Sequence, residues 1–140
     1  MHDLAAILGA ILDGYILPVD GFHGVVHWAR VLENGLRIAE DNGADREVVT
    51  LFALFHDSRR VNEGRDDGHG LRGGELARSL RGKLIHLDDD RFDLLAERQR
   101  LLAPSTRRFG RIRANHVASW RAISTATECR KQTISKCGMA

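Results

Sequence analysis

The 140-residue chain is the length of one domain, and its 43% hydrophobic content is typical of a globular protein with a single core. No apolar run approaches the about 18 residues that a membrane-spanning helix needs. The run from Leu4 to Leu12 lacks the basic flank and cleavage site of a signal peptide. The two cysteines, Cys129 and Cys137, indicate no disulfide framework. We therefore expect a cytoplasmic protein that does not enter a membrane.

The formal net charge of +2 conceals a division along the chain. Residues 1–97 contain 11 Lys and Arg against 18 Asp and Glu, a net charge of −7, whereas residues 98–140 contain 10 against 1, a net charge of +9. Such a change in composition favours two segments with different properties. We predict a domain over residues 1–97, followed by a basic C-terminal segment over residues 98–140.

Two amphipathic helices are predicted in the first 43 residues. Asp3 can cap the first, whose apolar residues recur at the spacing of one buried face: Leu4, Ile7, Leu8, Ile11 and Leu12. The second helix begins at residue 23 or 24 and runs to about residue 40, and Gly43 is a typical stop signal. His27 lies on or beside the face of this helix that packs inward.

Asp45 can cap a third helix, which is strongly apolar as far as Phe55 and then ends abruptly at His56 and Asp57. The following loop, residues 58–68, is rich in Gly, Asp and Arg and is too hydrophilic to belong to the core.

A fourth helix is predicted over residues 69–81, where Gly73 and Gly74 permit close approach of a neighbour. Its inward residues are Leu71, Leu76, Ala77 and Leu80. A cluster of three aspartates at residues 88–90 caps a fifth helix that continues to Leu102. No segment has the alternation of a strand, so the predicted fold class is all-α, with about five or six helices.

The histidine and carboxylate that end an apolar helix need a chemical reason, and metal binding is the simplest one. Two ligands do not complete a site, so a third must come from another helix. His27 is the best candidate, because helices packed side by side can bring it to His56 and Asp57. The alternative is a histidine at a helix end that simply pairs with its neighbouring carboxylate.

The pattern His27-x-x-Arg30-Val31, followed 29 residues later by His56-Asp57, resembles the HD-domain superfamily of metal-dependent phosphohydrolases. The likeness covers roughly residues 20–97 and implies an HD-domain-like helical bundle. It also implies that His27, His56 and Asp57 hold a divalent metal ion.

The resemblance suggests roles for residues that follow the His-Asp pair. His69 is similar to a histidine that, in the superfamily, contacts the phosphate, donates a proton or joins a second metal, although a helix cap is an alternative. Arg59, Arg60 and Arg72 could bind phosphate oxygens in bidentate fashion, and Arg60 is preferred because it closely follows the pair. The catalytic candidates are therefore Asp57, His69 and Arg60.

Three other residues near these positions have weaker interpretations. Arg30 could pair with an acidic neighbour such as Asp57 or Glu33. His23 lies one turn before the histidine ligand and is expected to support the site or to begin the helix. Gly70 would let a ligand approach the backbone.

The mixed imidazole and carboxylate set favours Mn²⁺, Fe²⁺, Co²⁺, Ni²⁺ or Zn²⁺ over Mg²⁺ or Ca²⁺. Such an ion polarises a phosphoryl oxygen and lowers the pKa of a bound water from about 15.7 toward about 7. The expected activity is hydrolysis of a small phosphate ester, for example a nucleotide.

The chain departs from the superfamily pattern after the fifth helix. The superfamily has a last aspartate ligand tens of residues beyond the His-Asp pair, but here no aspartate follows Asp93, and Glu128 is the only Asp or Glu after residue 97. Asp93, Glu128, His116 or water would have to substitute. A second hypothesis is therefore a catalytically impaired HD-like protein that keeps a partial metal site and binds nucleotides or protein partners.

Three interpretations of the basic segment over residues 98–140 remain open. We favour out-of-frame sequence beginning near residue 97, since the acidic character is lost at one point. The others are an ordinary divergent tail and, least favoured, a nucleic-acid-binding extension in which Phe109 and Trp120 stack on bases.

Overall fold

The computed structural model describes residues 2–102, which form five α-helices and no strand. The helices are α1 (Leu4–Leu12), α2 (Val25–Asn42), α3 (Arg46–Phe55), α4 (His69–Leu80) and α5 (Asp89–Arg100). An isolated bridge between Arg81 and Ile85 lies between α4 and α5. The predicted all-α class is confirmed for this part of the chain. None of its helices has both the length and the apolar character needed to cross a membrane.

Helices α1, α3 and α5 begin where the capping aspartates predict. The side chains of Asp3, Asp45 and Asp88 accept hydrogen bonds of 2.9 to 3.0 Å from backbone N–H groups in the first turns of α1, α3 and α5. Each bond satisfies a donor that has no partner within its own helix. Helix α2 ends at Gly43, which has a φ of 72°.

Helix α3 is the centre of the bundle and packs against α2, α4 and α5. Six of its ten residues are buried: Val48, Val49, Leu51, Phe52, Ala53 and Phe55. Truncating a buried phenylalanine typically costs about 3–5 kcal/mol, so Phe52 and Phe55 hold the helix firmly in place. The C-terminal end of α3 is therefore held in one position, which also fixes where the next residues begin.

Helix α4 packs closely against the end of α3 through Gly73, where an added Cβ would lie 2.3 Å from the Phe55 carbonyl oxygen. At Gly70 an added Cβ would lie 2.1 Å from the Gln99 carbonyl oxygen. The prediction that Gly70 admits a ligand is therefore wrong, because α5 fills that space. Leu71 was also predicted to face inward, but it is 44% exposed. The remaining inward residues of α4 pack on the core as predicted: Leu76, Ala77 and Leu80.

The loop over residues 58–68 is less exposed than predicted, since Ser58, Arg60 and Asp66 are buried. Asp66 explains how a hydrophilic loop can be buried. Its carboxylate accepts bonds of 2.8 and 3.3 Å from loop N–H groups and a bond of 2.6 Å from Arg72. Buried polar groups are tolerated when they are hydrogen-bonded in this way.

Helix α5 continues across the predicted boundary at residue 97 and ends at Arg100 rather than Leu102, which is buried in the following turn. The remainder of the basic segment lies outside the described residues. The same holds for the predictions made for individual positions there: His116, Glu128, Cys129, Cys137, Phe109 and Trp120.

Candidate metal centre

His56 and Asp57 directly follow the C-terminal end of α3. The His56 side chain is 0% exposed and that of Asp57 is 3% exposed. A tight turn follows, in which the Phe55 carbonyl accepts bonds from the backbone N–H and the hydroxyl of Ser58 at 3.2 and 2.9 Å. The turn fixes the direction in which the two side chains project.

His27 on α2 reaches these two residues. Its Nε2 atom lies 3.1 Å from His56 Nε2 and 3.3 Å from Asp57 Oδ2, and His56 Nε2 also lies 3.3 Å from Asp57 Oδ2. Two helices thus bring one atom from each of three residues into a triangle with nearly equal sides. The predicted convergence of His27, His56 and Asp57 is present in the structure.

The donor chemistry of this triangle suits a cation. The Nδ1 atom of His56 lies 2.7 Å from the Ala53 carbonyl oxygen. A neutral imidazole that donates its Nδ1–H there presents a lone pair at Nε2. That lone pair meets the Asp57 carboxylate, so a proton or a cation must lie among the three atoms. Ligands about 2.0–2.2 Å from one ion and about 90–109° apart are separated by about 3.0–3.4 Å. The cluster could therefore hold a divalent ion.

Asp57 is held in its ionised form despite its burial. Burial by itself would raise the pKa of Asp57, but hydrogen bonds to His27 and His56 and the positive charge of Arg60 outweigh burial and lower that pKa far below its usual range. Oδ2 faces the two imidazoles, while Oδ1 accepts a hydrogen bond of 3.3 Å from Arg60. The carboxylate therefore offers one negatively charged oxygen to the cluster.

Arg60 lies beside the cluster with its guanidinium already bonded. Besides Asp57, it donates to the carbonyl oxygens of Asn62, at 3.3 Å, and Gly64. The side chain is 8% exposed. Arg60 thus joins the His-Asp pair to the loop that follows.

His69, at the start of α4, completes the surroundings of Asp57. Its Nδ1 atom contacts the Asp66 carbonyl oxygen, and its Nε2 lies 3.7 Å from Asp57 Oδ1. That separation is beyond hydrogen-bond distance. The structure thus places all the predicted catalytic and metal residues in one neighbourhood.

The other arginines considered from the sequence do not join this group. Arg59 donates to the Ile11 carbonyl oxygen at 2.8 Å and so ties down the end of α1. Arg72 is engaged with Asp66. Arg30 is exposed on α2 and forms no ion pair with Asp57 or Glu33 among the described residues.

Sequence reasoning missed a contact that closes one side of the centre. The Oε2 atom of Glu63 accepts hydrogen bonds from both the Nδ1–H, at 2.6 Å, and the backbone N–H, at 3.3 Å, of His23. The His23 ring lies edge-on to the His27 ring, with 5.7 Å between centroids. We call the Glu63–His23 pair the loop clasp. No local signal predicts it, because its two residues are 40 positions apart.

Tyr15 supports the loop clasp by donating its hydroxyl to the His23 carbonyl oxygen at 3.0 Å. Burial raises the pKa of the Tyr15 hydroxyl, and the negative charges of Glu63 and Asp57 raise it further. The hydroxyl therefore stays protonated and serves as a donor.

The chain matches no protein-family model, no curated protein and no solved structure. The resemblance to the HD-domain superfamily therefore stays a prediction from the sequence pattern. Within residues 2–102 the metal-ligand cluster comprises three side chains, and Asp93 is exposed on α5, as expected for a surface charge.

Proposed function

We propose that this protein is a divalent-metal-dependent phosphohydrolase of the HD-domain type, acting on a small phosphate ester or a nucleotide. The observation that carries the proposal is the triangle of His27 Nε2, His56 Nε2 and Asp57 Oδ2, with sides of 3.1 to 3.3 Å. A half-buried imidazole from α2, together with a buried imidazole and a buried carboxylate at the end of α3, forms a metal-binding arrangement, whereas a simple His-Asp pair would not require His27.

The ligand chemistry limits the metal. Two imidazoles and one carboxylate favour Mn²⁺, Fe²⁺, Co²⁺, Ni²⁺ or Zn²⁺ over Mg²⁺. When bound, such an ion supplies a Lewis acid for a phosphoryl oxygen and lowers the pKa of water. His27, His56 and Asp57 would hold it, and the hydrogen bond from Arg60 orients the Asp57 carboxylate.

His69 and Arg60 have different proposed roles. The His69 side chain is 14% exposed and its Nε2 lies beside Asp57, so it can donate a hydrogen bond to a phosphate oxygen or a proton to the leaving group. Arg60 is bonded to Asp57 and to loop carbonyl oxygens. We therefore assign Arg60 to positioning Asp57 rather than to direct contact with substrate.

Turnover by metal-loaded protein tests this proposal. Protein loaded with Mn²⁺, Co²⁺ or Ni²⁺ is assayed against nucleotides and aryl phosphates, together with His56→Ala and the control His86→Ala, which alters an exposed imidazole outside the cluster. We expect hydrolysis that requires metal, is lost in His56→Ala and persists in His86→Ala. Turnover that His56→Ala leaves unchanged would refute the site.

A second candidate is a catalytically impaired HD-like protein that binds a metal and then a nucleotide or a protein partner. It is favoured by the count of three protein ligands in the cluster within residues 2–102. Stoichiometric metal binding without turnover on any ester would support this candidate over the enzyme.

A further inference from the structure

A cavity separate from the candidate metal centre lies where the first three helices meet. Its volume is about 370 Å³, and its apolar walls are Leu4 of α1, Leu36 of α2 and Leu51 of α3. Small-molecule sites in proteins typically have volumes of about 300–1,000 Å³ and mostly apolar walls. Glu47, which also lines the cavity, precedes His56 by about 14 Å along the axis of α3. The cavity and the metal centre therefore lie at opposite ends of the same helix.

The segment before α1 holds one wall of the cavity in place. The His2 side chain lines the cavity and is 3% exposed, and its Nδ1 atom lies 2.7 Å from Glu47 Oε1. Its Nε2 atom accepts a hydrogen bond of 2.8 Å from the His86 backbone N–H. These contacts tie the start of α1 to α3 and to the segment between α4 and α5. The cavity is therefore a preformed part of the fold, as ligand sites usually are.

The polar groups that line the cavity already have hydrogen-bond partners. The Glu47 carboxylate accepts a bond of 2.7 Å from Arg91. The Arg46 guanidinium donates to Glu40 at 2.9 Å, and the Thr50 hydroxyl donates to the Arg46 carbonyl oxygen at 2.8 Å. A ligand that exchanged its bonds with water for bonds to these groups would gain little. The surface that the cavity offers to a ligand is mainly that of its leucine side chains.

The charges at the cavity favour a neutral ligand. Arg46 and Glu47 both line it, and the hydrogen bond from Arg91 lowers the pKa of Glu47 and so keeps it ionised. A charged group in the cavity would meet one residue of opposite charge and one of the same charge. It would therefore find no net attraction to offset its loss of contact with water.

We propose that this cavity binds a neutral, mostly apolar molecule of about the size of two fused rings. An apolar cavity of about 150 Å³ holds benzene, and this cavity is more than twice as large. Moving an apolar ring system from water onto the leucine walls favours binding. The proposal does not depend on the proposed phosphohydrolase activity, because the residues that line the cavity are not those of the metal centre.

Calorimetric titration of the full-length protein with three naphthalene derivatives tests this proposal. The compounds share one ring system and differ in charge at neutral pH: 2-naphthalenemethanol is neutral, 2-naphthoate is an anion and 2-naphthylmethylamine is a cation. We expect about one molecule of the neutral compound to bind per chain. Its affinity should exceed that of either charged compound by about tenfold or more.

Two variants and a matched control connect binding to the cavity, with the folding of each checked by circular dichroism. Thr50→Phe places an aromatic ring at the cavity and should abolish binding of the neutral compound. Leu4→Ala removes part of an apolar wall and should weaken binding by about two- to fivefold. The control Leu71→Ala truncates a leucine of α4 with almost the same exposure, 44% against 45% for Leu4, and should leave binding unchanged.

Three results would overturn the proposal. One is absence of saturable binding of the neutral compound, and another is equal affinity for all three compounds. The third is affinity that folded Leu4→Ala leaves unchanged, because the compound would then bind another apolar surface. Metal binding should be the same in Leu4→Ala and wild type, so failure of this proposal is distinguishable from failure of the proposed function.

Discussion

The contact between α4 and the end of α3 predicts that Gly73→Ala destabilises the protein. The added Cβ would lie 2.3 Å from the Phe55 carbonyl oxygen, whereas ordinary contact begins at 3.4 Å. Helix α4 must therefore move by about 1 Å to relieve the overlap. Overpacking of this kind typically costs about 1–3 kcal/mol. The same carbonyl oxygen accepts the hydrogen bond from the Ser58 hydroxyl, so the orientation of the His56 and Asp57 side chains should also change.

Urea unfolding followed by circular dichroism measures this effect, with Gly9→Ala as a matched control. Gly9 lies inside α1 and an added Cβ there meets no atom within 4 Å. Alanine should stabilise that position by about 0.5–1 kcal/mol. We expect the two substitutions to change the free energy of unfolding in opposite directions. Wild-type stability for Gly73→Ala, alongside a stabilised Gly9→Ala, would refute the close packing of α4 on α3.

Three further predictions concern charged residues. Arg91→Ala removes the guanidinium that binds Asp45 and Glu47 at 2.7 to 2.9 Å. Measured by urea unfolding, this substitution should lower the free energy of unfolding by about 1 kcal/mol. The control Arg37→Ala, whose ion pair is exposed, should lower it by only about 0–0.5 kcal/mol. Burial would raise the pKa of Asp45, but the bond from Arg91 outweighs it and lowers that pKa, and the same guanidinium lowers the pKa of Glu47. The folded protein therefore binds fewer protons than the unfolded chain, so this stabilisation is present above about pH 4 and is lost as the pH falls through the folded pKa values. The loss of stability as the pH falls should be smaller in Arg91→Ala than in the wild type, and equal losses in the two proteins would contradict the pairing. Glu63→Ala opens the loop clasp and should weaken Co²⁺ affinity by up to about tenfold with an altered absorption spectrum; an unchanged spectrum and affinity would show that the clasp does not support the site.

The helices could be predicted because their signals are local. A capping aspartate acts on N–H groups two or three residues away, as Asp3, Asp45 and Asp88 do. The stop at Gly43 depends on its own backbone angle. Leu71 shows the limit of periodicity, since the spacing of apolar residues does not reveal which flank of a helical face a neighbour covers.

The convergence of His27, His56 and Asp57 could also be predicted, but the surroundings of these three residues could not. His56 and Asp57 stand out where an apolar helix ends, and His27 lies on the inward side of the preceding helix. The loop clasp and the bond from Arg59 to Ile11 join residues 40 and 48 positions apart. Periodicity carries information over a few turns, so it cannot report such contacts. For the same reason the buried loop over residues 58–68 looked hydrophilic and exposed.

The most direct test of the account is the stoichiometry of metal binding. Equilibrium dialysis of Co²⁺ or Mn²⁺ against wild type, His27→Ala, His56→Ala and His86→Ala separates the cluster from other histidines. We predict about one ion per chain in wild type and His86→Ala, and loss of that ion in both His27→Ala and His56→Ala. Absence of metal from the wild type, or equal metal in all four folded proteins, would contradict the proposed centre.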